Sequence, residues 1–364
     1  MRIGIDATSV LDEQSGVEMH VLTAVEALAR LGTGDEIVAF VRRRPPERWL
    51  SMDAEIGVEP VATGSQAAAT QVLLPRAAAA RAMDVLYCPA KPPPALAPMP
   101  VLDGIHDAVP WQRPETMGRG AARWYRTLDT IAVRRRAHVA TVSAASAEAI
   151  RAVLPVPSAR MHIVGNALAP WWETAAGRDH RRPAVAGRGR YVLSLCRMEP
   201  RKDLGTLLDA WSAVRAEHPR LRLLLAGKAG WGVSDLLARA KAQPGVDVLG
   251  WVSDRDVPGL YRHADAFVTA SREEGFGLPV LEAMAFGGPV VASDIAAHRE
   301  VGGDAIETFP VGDAARLGEA LGAVVGDQST RDRMRERGCE QAARFSSRAM
   351  AERLHDALVR TAGQ

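Results

Sequence analysis

The stretch Ala266-Phe-Val-Thr-Ala-Ser-Arg-Glu-Glu-Gly-Phe-Gly-Leu-Pro-Val-Leu-Glu-Ala-Met-Ala-Phe286 reads as a strand, a glycine loop and a helix in immediate succession. Ala266–Thr269 is a short apolar run without alternation, as expected of a strand covered on both faces of a parallel sheet. Gly275 and Gly277 follow it, and Pro279 suits a first helical turn, where its missing N–H costs nothing. Glycines just before a helix N-terminus make an anion site, because unpaired N–H groups and the helix dipole point at the ligand. Glu274 and Glu282 bracket the loop, and Glu282 is the only ionisable residue in Leu278–Gly287. A buried carboxylate there needs a partner such as a ribose diol; the alternative is an ordinary helix whose one charge faces solvent.

The same alternation runs along the chain in both directions. Candidate strands are Ile3–Ile5, Ile37–Val41, Val85–Tyr87, Val101–Ile105 and Val139–Val142, then Tyr191–Leu195, Leu221–Ala226, Val246–Leu249, Ala266–Thr269 and Val290–Ala292. Between them lie segments of helical period: Val17–Arg30, Ala121–Arg135, Leu204–Glu217 and Pro279–Phe286. Such repetition predicts a doubly wound α/β architecture. The pattern breaks once, from Ala167 to Arg190, where two tryptophans, two prolines, three glycines and five arginines show no period. The division expected is 1–170, a connector 171–190, a second domain 191–345, and an amphipathic C-terminal helix over 346–364 that packs on either domain. Two Rossmann-like halves would then face each other across a cleft, with ligand beyond the carboxyl ends of the strands.

Composition excludes several classes. The 364 residues carry 45 Lys+Arg against 43 Asp+Glu, a formal charge of +2, so a dedicated nucleic-acid binder is not expected. Cys88, Cys196 and Cys339 are too scattered for a disulfide framework or a zinc knuckle, and buried thiols are expected at the first two. Met1–Asp6 reads as a strand rather than a leader, and no window reaches the ~18 apolar residues of a membrane span. A cytoplasmic protein is expected. The near-neutral total hides basic segments at Arg42-Arg-Arg44, at Arg119, Arg123, Arg126 and Arg134-Arg-Arg136, and at Arg178–Arg190. With Trp124 and Tyr125 among them, the helical segment could lie against an anionic membrane or acceptor, or simply be a solvated face.

Two weaker motifs are set aside. Asp254-Arg-Asp256 spells a D-x-D metal motif but directly precedes a helix, which makes Asp254 a capping residue. Gly227-Lys-Ala-Gly-Trp-Gly232 lacks the G-x-G-x-x-G order of a dinucleotide loop. Neither a metal nor a nicotinamide cofactor is expected.

Taken together, Glu274-x7-Glu282 around Gly-Phe-Gly-Leu-Pro, followed by Gly288-Pro-Val-Val-Ala-Ser-Asp294, resembles the retaining GT-B glycosyltransferases of glycosyltransferase family 4. Cys196-Arg-Met-Glu-Pro-Arg-Lys202 resembles the family's Gly-Arg-Leu-x-x-x-Lys segment, with Cys196 where glycine is usual. Leu225-Ala-Gly-Lys228, Leu249-Gly-Trp-Val252 and Leu260-Tyr-Arg-His-Ala-Asp265 match further segments, so the resemblance covers nearly the whole chain.

The resemblance implies roles residue by residue. Arg197 and Lys202 would bind the donor diphosphate and stabilise the departing phosphate, with Arg201 a third cation beside them. Glu282 would hold the ribose hydroxyls and Glu274 would sit near the donor sugar. Backbone N–H groups of Phe276, Gly277 and Leu278 would meet sugar and phosphate, and Trp251 and Val252 the base. In the first half, Gln14-Ser-Gly-Val-Glu-Met-His20 places Gly16 before a helix, where backbone can approach an anion; Ser15 stands where a second glycine is common. Val101-Leu-Asp-Gly-Ile-His-Asp107 puts His106 near the reacting sugar, with Asp103 close by, and Ser143 would line the cleft.

The activity implied is metal-independent retaining transfer of a hexose from a nucleotide diphosphate sugar to a saccharide, lipid-linked or small-molecule hydroxyl. GDP-mannose is the first donor to try and UDP-sugars the next. The alternatives are a nucleotide-sugar 2-epimerase and a non-catalytic sugar-nucleotide-binding subunit.

Overall fold

The computed structural model describes residues 1–10, 16–42, 44–50, 52, 56–61, 63–118, 120–176, 178 and 180–364. These form two units, Met1–Glu173 with Phe345–Gln364, and Thr174–Arg344. In the first, a parallel sheet contains β1 (Arg2–Asp6), β2 (Glu36–Val41), β3 (Gly57–Pro60), β4 (Val85–Cys88), β5 (Val101–Gly104), β6 (His138–Thr141) and β7 (Met161–Ile163). Their order is β3-β2-β1-β4-β5-β6-β7. The chain winds outward from β1 to β3, then returns to lay β4 on the free side of β1. Loops leaving the carboxyl ends of β1 and β4 therefore diverge, the switch point at which doubly wound sheets take their ligands.

The second unit repeats the plan. Its strands are β8 (Tyr191–Leu195), β9 (Arg222–Ala226), β10 (Val246–Gly250), β11 (Ala266–Thr269), β12 (Val290–Ser293) and β13 (Glu307–Phe309), in the order β10-β9-β8-β11-β12-β13. Here the switch point lies between β8 and β11. Both units are thus Rossmann-like, as the strand–helix alternation predicts.

Helices Gly16–Leu31, Ala121–Arg134, Leu204–Glu217 and Leu278–Ala285 fall within one residue of the periodic segments. The strands that no apolar run announces, β3, β7 and β13, are all edge strands. An edge strand has one flank and part of a face in water, so residues such as Glu59, His162 and Glu307 are tolerated there.

Helix Ser347–Ala362 belongs to the first unit. Met350, Leu354 and Leu358, spaced four apart on one helix face, are fully buried with Val21, Val25 and Leu28 of helix Gly16–Leu31. Each such aliphatic side chain contributes about 2 kcal/mol by leaving water. The helix start is fixed twice. Ser346 Oγ accepts the Ala349 N–H at 3.2 Å, and Ser347 donates its N–H and hydroxyl to the Glu173 carboxylate, each at 2.5 Å.

In the second unit, Leu207 and Trp211 of helix Leu204–Glu217 pack with Leu317, Leu321 and Val324 of helix Ala314–Gly326 over β9 and β11. From Thr174 onward the arginine-rich connector is part of this unit and partly structural. The Arg182 guanidinium lies 4.8 Å above the Tyr191 ring, and Arg190 pairs with Asp265 at 3.1 Å. Arg43 and Arg119, counted above in the basic segments, lie outside the described residues. Cys88 is buried, Cys196 is half-buried and Cys339 is exposed. Among the described residues no helix is long and apolar enough to cross a membrane.

Candidate active site

The loops after β8 and β11 meet at the switch point of the second sheet. After β8, a short turn over Pro200–Lys202 ends at Asp203, whose φ of 46° swings the chain into helix Leu204–Glu217. After β11, the chain passes Ser271 and reaches Glu274. Backbone and side chains tie the two loops together: Arg272 N–H donates to Arg201 O at 2.9 Å, and the Arg272 guanidinium pairs with Asp203 at 2.9 Å.

Glu274 is the centre of the arrangement. Lys202 Nζ pairs with its Oε1, Arg201 Nη1 lies 3.0 Å from its Oε2, and Ser271 Oγ donates to Oε1 at 2.7 Å. Lys202 is 7% exposed, so this is an ion pair largely out of water. Burial alone would push the Glu274 carboxyl up, but Lys202 and Arg201 outweigh it and hold the group below the usual carboxylate range. Such a pair is costly to break, because the abandoned charge stays desolvated.

Arg197, expected with Lys202 at the donor diphosphate, stands at the outer end of the same cluster of charges. It is more than half exposed and pairs with Glu199 at 3.0 Å; Glu199 also holds Arg201 at 3.2 Å. The result is a ladder, Arg197–Glu199–Arg201–Glu274–Lys202, with three cations against two carboxylates. The residue that reaches Glu274 beside Lys202 is Arg201.

Helix Leu278–Ala285 starts from Gly277, whose φ is 95° and which gives no side-chain cap. A Cβ there would lie 3.1 Å from His298 Cδ2, so both the backbone angle and the packed imidazole demand glycine. His298 Nδ1 lies 2.9 Å from the Ser293 carbonyl oxygen, which can only accept, so Nδ1 carries the proton. Ser293 closes the circuit by donating to Ser271 O at 2.5 Å. Phe276, in the loop before the helix, is buried.

Glu282 is 8% exposed and accepts the Tyr261 hydroxyl hydrogen bond at 2.9 Å. Burial pushes its carboxyl up to about 8, against the opposing pull of that hydrogen bond. Two carboxylates eight residues apart therefore have opposite characters: Lys202 and Arg201 favour the ionised form of Glu274, whereas burial favours the protonated form of Glu282.

Beyond β10, Trp251 is 57% exposed and Val252 is buried. The D-x-D segment corrects one expectation. Helix Val257–Arg262 is entered at Asp256, not Asp254, and without a side-chain cap. Ser253 takes the work instead, its carbonyl accepting the Asp256 and Val257 N–H groups at 2.8 and 3.3 Å. Pro258 in the first turn moves the helix start past Asp254. Among the described residues no group of three or more His, Cys, Asp or Glu is placed to hold a metal ion.

In the first unit, Gly16 opens helix Gly16–Leu31, while Gln14 and Ser15 lie outside the described residues. His106 follows β5 with Nε2 against the Pro89 carbonyl oxygen. Asp103 is buried within β5, its carboxyl pushed well up by burial. Ser143 is the N-cap of helix Ala144–Val153, its Oγ accepting the Ser146 N–H at 2.9 Å. Sequence reasoning missed Ser271, Tyr261 and His298. Of these, Ser271 carried a signal, a hydroxyl three residues before a glutamate at a strand end.

A family model described as Glycosyltransferase Family 4 matches residues 14–171, and one described as Glycosyl transferases group 1 matches residues 177–341. The chain belongs to glycosyltransferase family 4. Among curated relatives of this family member, O-antigen chain mannosyltransferase B of Escherichia coli is 38% identical over 160 residues, 43% of this chain and 42% of that protein. Phosphatidyl-myo-inositol mannosyltransferase of Mycobacterium leprae is 34% identical over 184 residues, 47% of this chain and 48% of that protein. In both cases the match spans less than half of the relative's length. Among solved structures, Anabaena HepE in complex with UDP and glucose superposes with a TM-score of 0.76 at 18% identity, covering 99% of each chain. Sucrose-phosphate synthase of Thermosynechococcus elongatus gives 0.78 at 18%, covering 98% of this chain and 97% of that one. At this identity they establish the shared GT-B fold.

Proposed function

We propose that this family 4 member is a retaining, metal-independent glycosyltransferase that moves a hexose from a nucleotide diphosphate sugar to an acceptor hydroxyl. The observation that carries the reading is the Glu274 site: one carboxylate gripped by Lys202 and Arg201 at the switch point, with Glu282 buried on the Tyr261 hydroxyl in the helix beyond. Donor phosphates would draw Lys202 and Arg201 partly away from Glu274, with Arg197 joining them through the shared Glu199. These cations would offset charge on the diphosphate as the bond from the sugar C1 to its oxygen breaks. The acceptor oxygen bonds to C1 on the same face, and its proton passes to the departing phosphate.

Glu274 would then be placed for the donor sugar's hydroxyls, and Glu282 for the ribose diol. The backbone N–H groups at the helix start, Phe276, Gly277 and Leu278, would meet the phosphates, and exposed Trp251 with Val252 the base. His106 is read as a hydrogen-bond partner for a hydroxyl of the reacting sugar or of the acceptor, and Gly16 as a place of close backbone approach.

Mannose is the first sugar to test, because both curated relatives above are named as mannosyltransferases. Helix Ala121–Arg134, with Arg123 exposed and Trp124 40% exposed, is compatible with a lipid-linked acceptor at an anionic surface. The test begins with a melting-temperature panel of GDP, UDP, ADP and TDP, since a ligand of the folded state raises Tm. The matching nucleotide sugar is then incubated with candidate acceptors and followed by NMR. Transfer with retained anomeric configuration supports the reading. Inversion, or epimerisation of the sugar without any acceptor, overturns it.

A further inference from the structure

Behind His106, the first unit holds a chain of neutral polar side chains with one internally consistent proton arrangement. His106 Nε2 faces the Pro89 carbonyl oxygen. A carbonyl only accepts, so Nε2 carries the proton and Nδ1 is a bare lone pair. That Nδ1 is buried and has no hydrogen-bond partner among the described residues.

The His106 ring meets His20 edge to face, with centroids 4.6 Å apart and planes at 67°. His20 comes from helix Gly16–Leu31 and is 1% exposed. Its Nδ1 lies 3.3 Å from Asn166 Oδ1 and its Nε2 lies 2.9 Å from the Tyr87 hydroxyl. Asn166 Oδ1 also accepts the Ala167 N–H at 3.0 Å, which identifies that atom as the oxygen. His20 therefore donates from Nδ1 and accepts at Nε2, and Tyr87 must be the donor to it.

The order Tyr87 to His20 to Asn166 runs in one direction and needs no charge. Burial suits it: His20 is held down to about 3, and Tyr87 is pushed above its ordinary range. His106 is also lowered, mainly by burial, while the hydrogen bond to Pro89 and then the neighbouring Asp107 pull the other way. The Asp107 carboxylate is itself engaged, accepting the Val109 N–H at 3.0 Å.

We propose that His20 is a positioning residue: its locked ring holds His106 in the orientation in which the Pro89 carbonyl fixes the tautomer, so that Nδ1 is presented as a neutral acceptor for one substrate hydroxyl. A histidine buried in a helix face packed on the core would otherwise be read as filler. Here it has a full set of partners and spends its edge on the one imidazole at the carboxyl end of β5. The proposal rests on the reading of His106 as a substrate contact.

The experiment follows His106 directly. Imidazole nitrogen shifts in the full chain report its tautomer, and their pH dependence reports its midpoint. In the wild-type protein the Nε2–H form is expected to predominate, with a midpoint below ~6.5. His20→Ala is expected to mix the tautomers, raise the midpoint and move the acid limb of kcat/KM upward with it. Its kcat should fall ~10- to 100-fold, with donor KM within about twofold. His20→Phe keeps a ring edge against His106 and should restore most of that loss. Should His20→Ala not fold, Tyr87→Phe deletes one hydroxyl and is expected to shift the midpoint in the same direction by less.

An unchanged His106 tautomer and midpoint in the folded variants overturns the proposal, as does a rate loss that scales equally at every pH. If no donor and acceptor give transfer, the proposed function fails, and the nitrogen shifts still decide the role of His20.

Discussion

Lys202 and Glu274 stand 72 residues apart in sequence and form a buried ion pair where the loops after β8 and β11 converge. Both loops leave neighbouring parallel strands at a switch point, so the pairing follows from topology rather than from local sequence. Four predictions follow the site outward from this pair.

Glu274→Gln keeps the shape of the side chain and removes its charge, leaving Lys202 desolvated beside it. A stability loss of about 3 kcal/mol is expected, in the range for breaking a buried pair. The sign with pH is definite. The folded carboxyl titrates below its unfolded value, so its stabilisation is present above pH ~4.5 and is lost as pH falls through the folded value. Urea unfolding from pH 7 down to pH 3 should show an acid-dependent decline in the wild-type that the variant lacks. Transfer by Glu274→Ala or Lys202→Ala should drop at least ~100-fold; near-normal turnover in both would remove these residues from the proposed site.

Glu282 behaves in the opposite sense. With its folded carboxyl near 8, it binds a proton more tightly than in the unfolded chain, so its contribution declines as pH rises from about 4.5 to 8. Glu282→Gln should therefore gain stability relative to wild-type across that interval. If a nucleotide's ribose hydroxyls donate to the carboxylate, binding near pH 7 must release protons. Calorimetry in two buffers of different ionisation enthalpy measures this, and identical enthalpies would remove Glu282 from the nucleotide site.

Gly277→Ala places a side chain at a φ of 95° and 3.1 Å from the His298 ring. A loss of about 1–2 kcal/mol is expected from the backbone alone. Because the loop before the helix shifts with it, the nucleotide-induced rise in Tm should shrink as well. A variant that melts lower but keeps the full nucleotide shift would show that the loop does not touch the ligand.

Transfer should persist in excess EDTA, because Lys202, Arg201 and Arg197 are the groups assigned to the diphosphate. A rate abolished by chelation and restored by a divalent cation would return Asp254 and Asp256 to the list of ligands.

The parts of this molecule that could be read from sequence are those whose physics is local. An apolar run of four or five residues is a central strand, and a glycine pair before a proline is a helix entrance. Edge strands β3, β7 and β13 carry no such run, because half of each is solvated. The site shows the same limit. Glu274, Glu282 and Lys202 stand out by spacing, yet whether Arg197 or Arg201 reaches Glu274 depends on which way a three-residue turn rotates after β8. Tyr261 and His298 come from helices whose own sequences say nothing about the neighbour they meet. His20 is the extreme case, a buried polar residue in a largely apolar helix, whose partners lie 67, 86 and 146 residues further along the chain.

Helix Ser347–Ala362 gives the molecule an unusual timetable. The ribosome makes the first unit's strands and helices first, yet Met350, Leu354 and Leu358, which cover helix Gly16–Leu31, emerge only after the whole second unit. The usual order, in which the amino-terminal domain finishes folding while the rest is still being made, is therefore inverted. The second unit can complete itself during synthesis, whereas the first must hold an open apolar face until residues 347–362 have been made.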